Sequence, residues 1–561
     1  MVIRLARTVW LPHVSAASCP VIIMILATCN AFAESDLNSG SLVSAKLTPA
    51  ALEMDEATIG RIIIDNRNIF DPEIPAEDRW LYRMANALHV RTRPQVIESQ
   101  LLFAEGDEYS RQSAEETERI LRANHYIGDV SIEPVRYENG VVDLAVKTTD
   151  VWTLSADLAF GRHGGVNSGG FGVKEHNLLG TGAYVAAKYR SDVDRSNTIF
   201  EVAKQRLGGS RYDAAALFSA NSDGFERQLQ IGKPFYALDS RNAVGVSVLA
   251  AQRTDTLYDL GEKEAQFEHD LAYHELSGGW SKGLSQGWTR RLLAGLVYDN
   301  HEFSAILDDQ LPQTIIPEDR RYVFPYLGIE IMEDHFETVR NFDQIQRTED
   351  LYFGTRFTAK VGFSSASAGS SATGFHINTA YSNGFRAGQK GTFLLGAQLG
   401  SRIVSGSAEN VLLSGFANYH LQQSEDRLLY VGLDVAAGAN LDIDNQVLLG
   451  GDSGLRGYPI RYQTGDSRAL LTIEQRFFTD WYPFRLFHVG AAAFFDAGRT
   501  WGDSPVSGEN LGLLRNVGVG LRLGNSRTGF GKMLHIDLAY PLDGRSDIRG
   551  TQLLIEAKRS F

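Results

Sequence analysis

The chain has 561 residues, of which 43% are hydrophobic and 22% charged. That balance excludes a disordered or low-complexity protein, and the length excludes a single compact core. Acidic residues outnumber basic ones by 68 to 54, a net charge of −14 with no basic domain, which argues against a nucleic-acid partner.

Residues 1–33 read as an export signal. Arg4 and Arg7 supply the positive end, Val21 to Ala27 the apolar stretch, and Ala31-Phe32-Ala33 a cleavage site of small residues. Leu26-Ala27-Thr28-Cys29 is a poor lipoprotein box, because Thr28 is ill-suited before the cysteine. Both cysteines, Cys19 and Cys29, lie in this leader, so a chain starting at residue 34 carries no thiol and needs no disulfide outside the cytoplasm. No later apolar run approaches the ~18 residues of a transmembrane helix.

Residues 34–55, rich in Ser, Ala and Asn, read as a linker. From 56 to 150 helices and strands mix. Ile62-Ile63-Ile64 suggests a buried strand, and Trp80 to His89 a short amphipathic helix. Ser113 and Glu116 are spaced as a capping box for a helix carrying Ile120 and Leu121. Asn139-Gly140, between Val130/Ile132 and Val142/Leu144/Val146, is a strong hairpin signal. The result is an α+β unit.

At Val151 the pattern changes, and to Phe561 it is a train of alternating segments separated by Gly, Asn, Asp and Ser turns. Val489, Ala491, Ala493, Phe495 and Ala497 share one face, while His488, Gly490, Ala492, Phe494, Asp496 and Gly498 share the other. One apolar face and one of small, polar or charged residues is the mark of a lipid-exposed, all-β antiparallel transmembrane barrel. A closed barrel also pairs every backbone group within hydrocarbon. About 20 strands can be counted over 151–561.

The stretch 440–466 interrupts the alternation with Gly450-Gly451-Asp452-Ser453-Gly454-Leu455-Arg456-Gly457-Tyr458-Pro459. Glu474 shares a face with Thr472 and Arg476, and Asp496 lies on the small and polar face of its strand, so both carboxylates are expected to point into the lumen. An arginine forked to two carboxylates would anchor a loop folded back into that lumen. Gly451-Asp452-Ser453-Gly454 also has the look of a serine-protease nucleophile segment, but His376 and His420 lie in strand-like stretches without the required context. Asp442 with Asp444, and Asp192 with Asp194, read as solvated loop carboxylates rather than calcium ligands. No helical His-x-x-x-His spacing suggests zinc. No enzymatic activity, metal or cofactor is expected.

On these motifs the sequence resembles the BamA/TamA superfamily of outer-membrane assembly and secretion barrels, the bacterial surface antigen family. Leu455-Arg456-Gly457-Tyr458 is similar to its "VRGF/Y" loop, with Leu for Val. Phe495-Asp496-Ala497-Gly498 and Glu474 are similar to its acidic partners, and Asn177 to Gly182 to its early-barrel motif. The α+β unit has the layout of a single POTRA domain, the family's periplasmic module. Leu553, Ile555, Ala557 and the final Phe561 share a face of a last strand, like the family's terminal assembly signal.

The resemblance implies 16 strands and an outer-membrane barrel with its N-terminal domain in the periplasm. It implies a substrate contact on an edge strand within 128–150, and a weak seam between the strand near 151–161 and the one ending at Phe561. It further implies a role in inserting or translocating unfolded outer-membrane or secreted proteins, among outer-membrane lipid and accessory lipoproteins. A dedicated exporter of one partner protein and a passive porin-like channel are the alternatives.

Overall fold

The computed structural model describes residues 48–561 apart from 76, 157–158, 307–314, 343–344, 346–347, 484–486, 507–508, 510, 526–532, 546–547, 549 and 559–561. The export signal and Phe561 therefore lie outside the described residues.

The N-terminal unit begins earlier than the sequence suggests. Thr48 caps a one-turn helix, α1 (Pro49–Met54), by accepting from the Ala51 amide, and Leu52 is fully buried. Residues 49–54 thus belong to the folded domain and not to a linker, because one apolar side chain docks the turn. There follow β1 (Thr58–Arg67), α2 (Trp80–Leu88), α3 (Pro94–Glu98), α4 (Arg111–Arg122), β2 (Ile127–Glu138) and β3 (Val141–Asp150). The sheet order is β1-β3-β2, with β1 parallel to β3 and β2 antiparallel. Asn139 and Gly140 both take positive φ, at 51° and 78°, as a two-residue hairpin turn requires.

Helix α4 is capped by Ser110, whose hydroxyl accepts from the Ser113 amide at 3.3 Å, so Ser113 sits inside the helix and is not its cap. Glu116 is thereby freed for another task and accepts from the Leu238 amide of a barrel turn at 2.7 Å. Ile97, Leu121, Ile127 and Leu144 fill a core between the helices and one sheet face.

From Leu154 to Lys558 twenty antiparallel strands close into a barrel. The sixteen implied by resemblance is too few, because nearly every alternating segment forms a full ladder of its own. The exception is the first strand, whose halves Leu154–Ala156 and Ala159–His163 both pair with Val166–Glu175. Outward side chains are apolar: Leu292, Leu296 and Leu327 are exposed, while the intervening Arg291 and Glu330 point inward and pair at 2.6 Å. That alternation is what a bilayer demands of a spanning barrel.

The last strand, Gln552–Lys558, meets Ala159–His163, and among the described residues the registered pair is Ile555 with Arg162. By contrast, it makes seven pairs with its other neighbour, Met533–Pro541.

Domain and barrel join through a buried polar knot. The Thr92 amide and hydroxyl donate to Asp150 Oδ2 at 2.7 and 3.1 Å, and Asn177 of the first barrel turn donates to the Thr92 hydroxyl at 2.8 Å. His89 Nε2 lies 3.7 Å from the same carboxylate.

Burial pushes the Asp150 carboxyl up to about 6. Burial, helped by Arg91, pulls the His89 imidazole down to about 4. A raised carboxyl adds stability as pH falls from about 6 toward its ordinary ~3.9, and a lowered imidazole removes stability from its ordinary ~6.5 down to about 4. The two effects oppose each other over one window. Asp150→Asn should therefore expose the histidine's loss: amide-exchange protection of β3 should fall between pH 6.5 and pH 4 in the variant and stay nearly level in the parent. Parallel pH curves would disprove this.

Candidate functional site

Two segments enter the lumen, one from each end of the barrel. The first is the loop 440–466 at the end distal to the N-terminal domain. It folds inward as a small ribbon of Val447–Leu449 against Gln463–Gly465. Gly450 opens the short turn Gly451–Ser453 and Gly454 closes it, and Asp452 accepts from the Arg461 amide at 3.1 Å. Leu455 and Tyr458 are fully buried among Leu449, Tyr462, Leu470 and Leu514. The Tyr458 hydroxyl donates to the carbonyl oxygen of Arg515 at 2.7 Å. Gly457 is required sterically, since a Cβ there would lie 2.6 Å from the Asn516 Cβ.

These contacts aim Arg456 at the lumen wall. Its Nε and Nη2 fork onto Asp496 at 2.8 Å each, and Nη1 reaches Glu474 at 2.9 Å and Asp537 at 3.3 Å. The guanidinium lies 3.3 Å from the Phe494 ring centroid. Asn516 joins the group by donating to Asp496 at 2.8 Å and accepting the Gly457 amide at 3.1 Å. Arg476 donates to Glu474 at 3.2 Å, and Arg522 pairs with Asp537 and with Glu474. Three guanidiniums and three carboxylates, all at most 8% exposed in their side chains, thus form one neutral cluster.

Sequence reasoning singled out Arg456, Asp496 and Glu474 but assigned no role to Asp537, Arg476, Arg522 or Asn516. Strand parity was the available signal, because all four share the inward faces of their strands. The solvated reading is overturned for three of the four loop aspartates, while Asp192 is exposed and accepts from the nearby Asp194 and Arg195 amides. Asp442 receives a fork from Arg402 at 2.9 and 2.6 Å, Asp444 one from Arg320 at 3.0 and 2.7 Å, and Asp194 one from Arg461 at 2.7 and 2.6 Å. Arginines distant in sequence hold them, Arg402 and Arg320 from barrel strands and Arg461 from the inward-folded loop, which no local pattern reveals.

The second segment had no sequence signal at all. Residues 334–355 link two strands at the domain end and form a ribbon of Phe336–Arg340 against Thr348–Tyr352. Its tip turns into the lumen. Phe342 packs on His420 with ring centroids 4.1 Å apart, and Ile345 is buried with Leu428, Phe478 and Met533 of the opposite wall. Arg476 of the ionic cluster donates to the Phe342 carbonyl at 3.3 Å. The base is held by α4: Arg122 forks to Asp350 at 2.9 and 3.1 Å, and Arg119 lies over Phe336 and 3.5 Å from Asp334.

In the last strand Leu553 is exposed, Ile555 makes the seam pair and Ala557 is buried.

No family model matches the chain, and neither does any curated protein. Solved structures of similar fold include BamA from Haemophilus ducreyi lacking POTRA domains 1–3, at 13% identity and TM-score 0.38 over 88% of this chain and 84% of that one. CdiB from Escherichia coli is similar at 13% identity and TM-score 0.46 over 89% and 75%. The FrpB iron transporter from Neisseria meningitidis is similar at 7% identity and TM-score 0.36 over 89% and 92%. These likenesses concern the barrel fold alone.

Arg456→Ala leaves three carboxylates facing two guanidiniums. Removing one partner of a buried pair costs about 3–5 kcal/mol where water stays out. The variant is expected to unfold at lower denaturant and to expose the loop, read as faster labelling of a cysteine placed at Ser453. Arg456→Lys should recover only part of this, since an ammonium cannot fork onto Asp496 while reaching Glu474. Parent-like labelling in both variants would show that the cluster does not hold the loop.

Proposed function

We propose that the chain is a non-enzymatic protein of the bacterial outer membrane that assists insertion or translocation of other proteins, with its N-terminal domain in the periplasm. The observation that carries this reading is a closed barrel whose first and last strands are bridged from inside, beside their seam, by an inward-folded loop. Gly164, in the turn after the first strand, packs so tightly on Pro459 and Ile460 that a Cβ would lie 2.2 Å from the Ile460 nitrogen. On the other side Tyr458 bonds to the Asp543 carbonyl, in the turn before the last strand, at 3.1 Å. The loop therefore grips both hairpins that flank the seam. A passive pore has no use for such a brace, and its lumen would not be occupied from both ends.

Substrate strands would add to an exposed sheet edge of the N-terminal domain. The position expected within 128–150 narrows to β2, because β3 is the central strand. Even there α4 covers part of the edge, with Glu118 accepting the Ile132 amide at 2.7 Å and Arg122 donating to the Val130 carbonyl at 3.1 Å. What stays open is Glu133–Glu138, with Val135 exposed.

A photo-crosslinker at Val135 in living cells separates the readings. Many barrel precursors support an insertase, a single exoprotein supports a dedicated exporter, and no adduct removes the protein-handling proposal. The near closure gives an independent test. Arg122→Glu places like charges at Asp350 and should raise ion conductance in planar bilayers several-fold over the parent. Unchanged conductance would mean that the 334–355 hairpin is not held shut by α4.

A further inference from the structure

We propose that α2 is a membrane-surface helix, docked by its unpartnered apolar face into the lipid leaflet on the N-terminal-domain side of the barrel. The proposal needs only that the barrel spans a bilayer and does not depend on what the protein transports.

Helix α2 is apolar on two adjacent faces. Tyr82 and Ala85 face the protein, where Tyr82 stacks on Phe70 at 4.4 Å and the group packs with Trp152 at the foot of the barrel. Asn86 fixes this face by accepting the Phe70 amide at 3.1 Å and donating to its carbonyl at 2.8 Å. Trp80, Met84, Leu88 and Leu81 fall within about 100° of arc on the adjoining face at 3.6 residues per turn. They are 64%, 44%, 66% and 42% exposed. Four large apolar side chains in a row on a water-facing helix call for a covering surface.

Three features identify lipid as that surface. The first is continuity with the barrel's apolar belt. Arg93 binds the first barrel turn, its amide donating to the Gly180 carbonyl at 2.9 Å and its Nε to the Leu179 carbonyl at 3.2 Å. In that turn Leu178 and Leu179 are exposed, and the strands on either side continue into the outward-facing Val173 and Val185. Leu88 is three residues, at most about 11 Å, from Arg91, whose carbonyl packs on Gly180, so the end of α2 lies close to that turn.

The second feature is charge. The chain is strongly acidic, yet residues 79–93 hold Arg79, Arg83, Arg91 and Arg93 and no Asp or Glu, with Arg83 alone of these paired to the preceding Asp78, at 2.6 Å. Basic residues flanking an apolar helix face suit anionic headgroups. The third is Trp80 at the helix start, an aromatic residue of the kind that settles at the level of the headgroups.

A chain starting at residue 34 has no cysteine, so a nitroxide can be placed at one position only. The full barrel, one copy per nanodisc of phosphatidylethanolamine and phosphatidylglycerol, is labelled at Met84→Cys or at Arg83→Cys, about 110° round the helix from the centre of the apolar face. Lipid docking predicts that the label at 84 collides preferentially with oxygen and the label at 83 with a water-soluble nickel chelate. Adding Leu81→Glu and Leu88→Glu should shift the label at 84 toward the nickel chelate while the barrel still migrates faster unboiled than boiled. A water-exposed label at 84 in the parent overturns the proposal. So does a label shielded from both agents, which would mean that protein covers the face.

Discussion

The ionic cluster at Arg456 is the constraint on which both closures of the lumen depend. Taking charges out of water is costly, and the attraction between them repays it only where geometry is close and the remaining donors and acceptors are satisfied. Here charges balance, the main pair is a two-bond fork, and Asn516 supplies a further donor to Asp496. The carboxylates come from three barrel strands, so the cluster fixes those strands relative to one another as well as to the loop. It also reaches the other end of the lumen, since Arg476 binds Glu474 on one side and the Phe342 carbonyl on the other. One network therefore senses the position of both inward segments.

That arrangement also braces the seam between the first and last strands of the barrel. A strand pair ordinarily gains its stability from a row of backbone bonds and facing side chains. Between Gln552–Lys558 and Ala159–His163 the described residues supply one registered pair. Further cohesion is provided from inside, by the loop that packs on Gly164 and binds the Asp543 carbonyl.

Much of this was legible because a strand's side chains alternate strictly. Parity alone turned Glu474 and Asp496 inward, and the glycines around Arg456 marked a chain reversal. The Asn139-Gly140 turn and the apolar β3 likewise declared themselves. What stayed hidden was non-local. Nothing in the residues around Phe342 and Ile345 distinguishes a turn that enters the lumen from one that stays outside, because its partners, His420, Leu428 and Met533, are 78 to 188 residues away in the chain. Asp442 and Asp444 read as solvated for the same reason: Arg402 and Arg320 are 40 and 124 residues away in the chain. The one-turn helix at Pro49 escaped notice since a single buried leucine carries no periodicity.

The two closures are held with unequal strength. The distal loop is fixed by side chains almost wholly withdrawn from water, with Asp496 0% and Arg456 8% exposed. The domain-side hairpin rests at its base on pairs that water can reach: Arg122 with Asp350 at 13% and 17%, Arg119 with Asp334 at 17% and 18%, and Arg386 with Glu337 at 39% and 32%. Exposed pairs contribute little, around 0–1 kcal/mol, whereas breaking a dry pair costs several times more. The base of the hairpin is thus less deeply buried than the anchor of the distal loop, while Phe342 and Ile345 are held inside by His420, Leu428 and Arg476. Two of its three holding arginines belong to α4, the helix that also covers the start of the β2 edge through Glu118. A chain pairing along β2 would compete with α4 for that edge, and any shift of α4 would act directly on Arg119 and Arg122. One helix, α4, therefore touches both the β2 edge and the base of the lumen hairpin, while the dry cluster holds the distal loop in place.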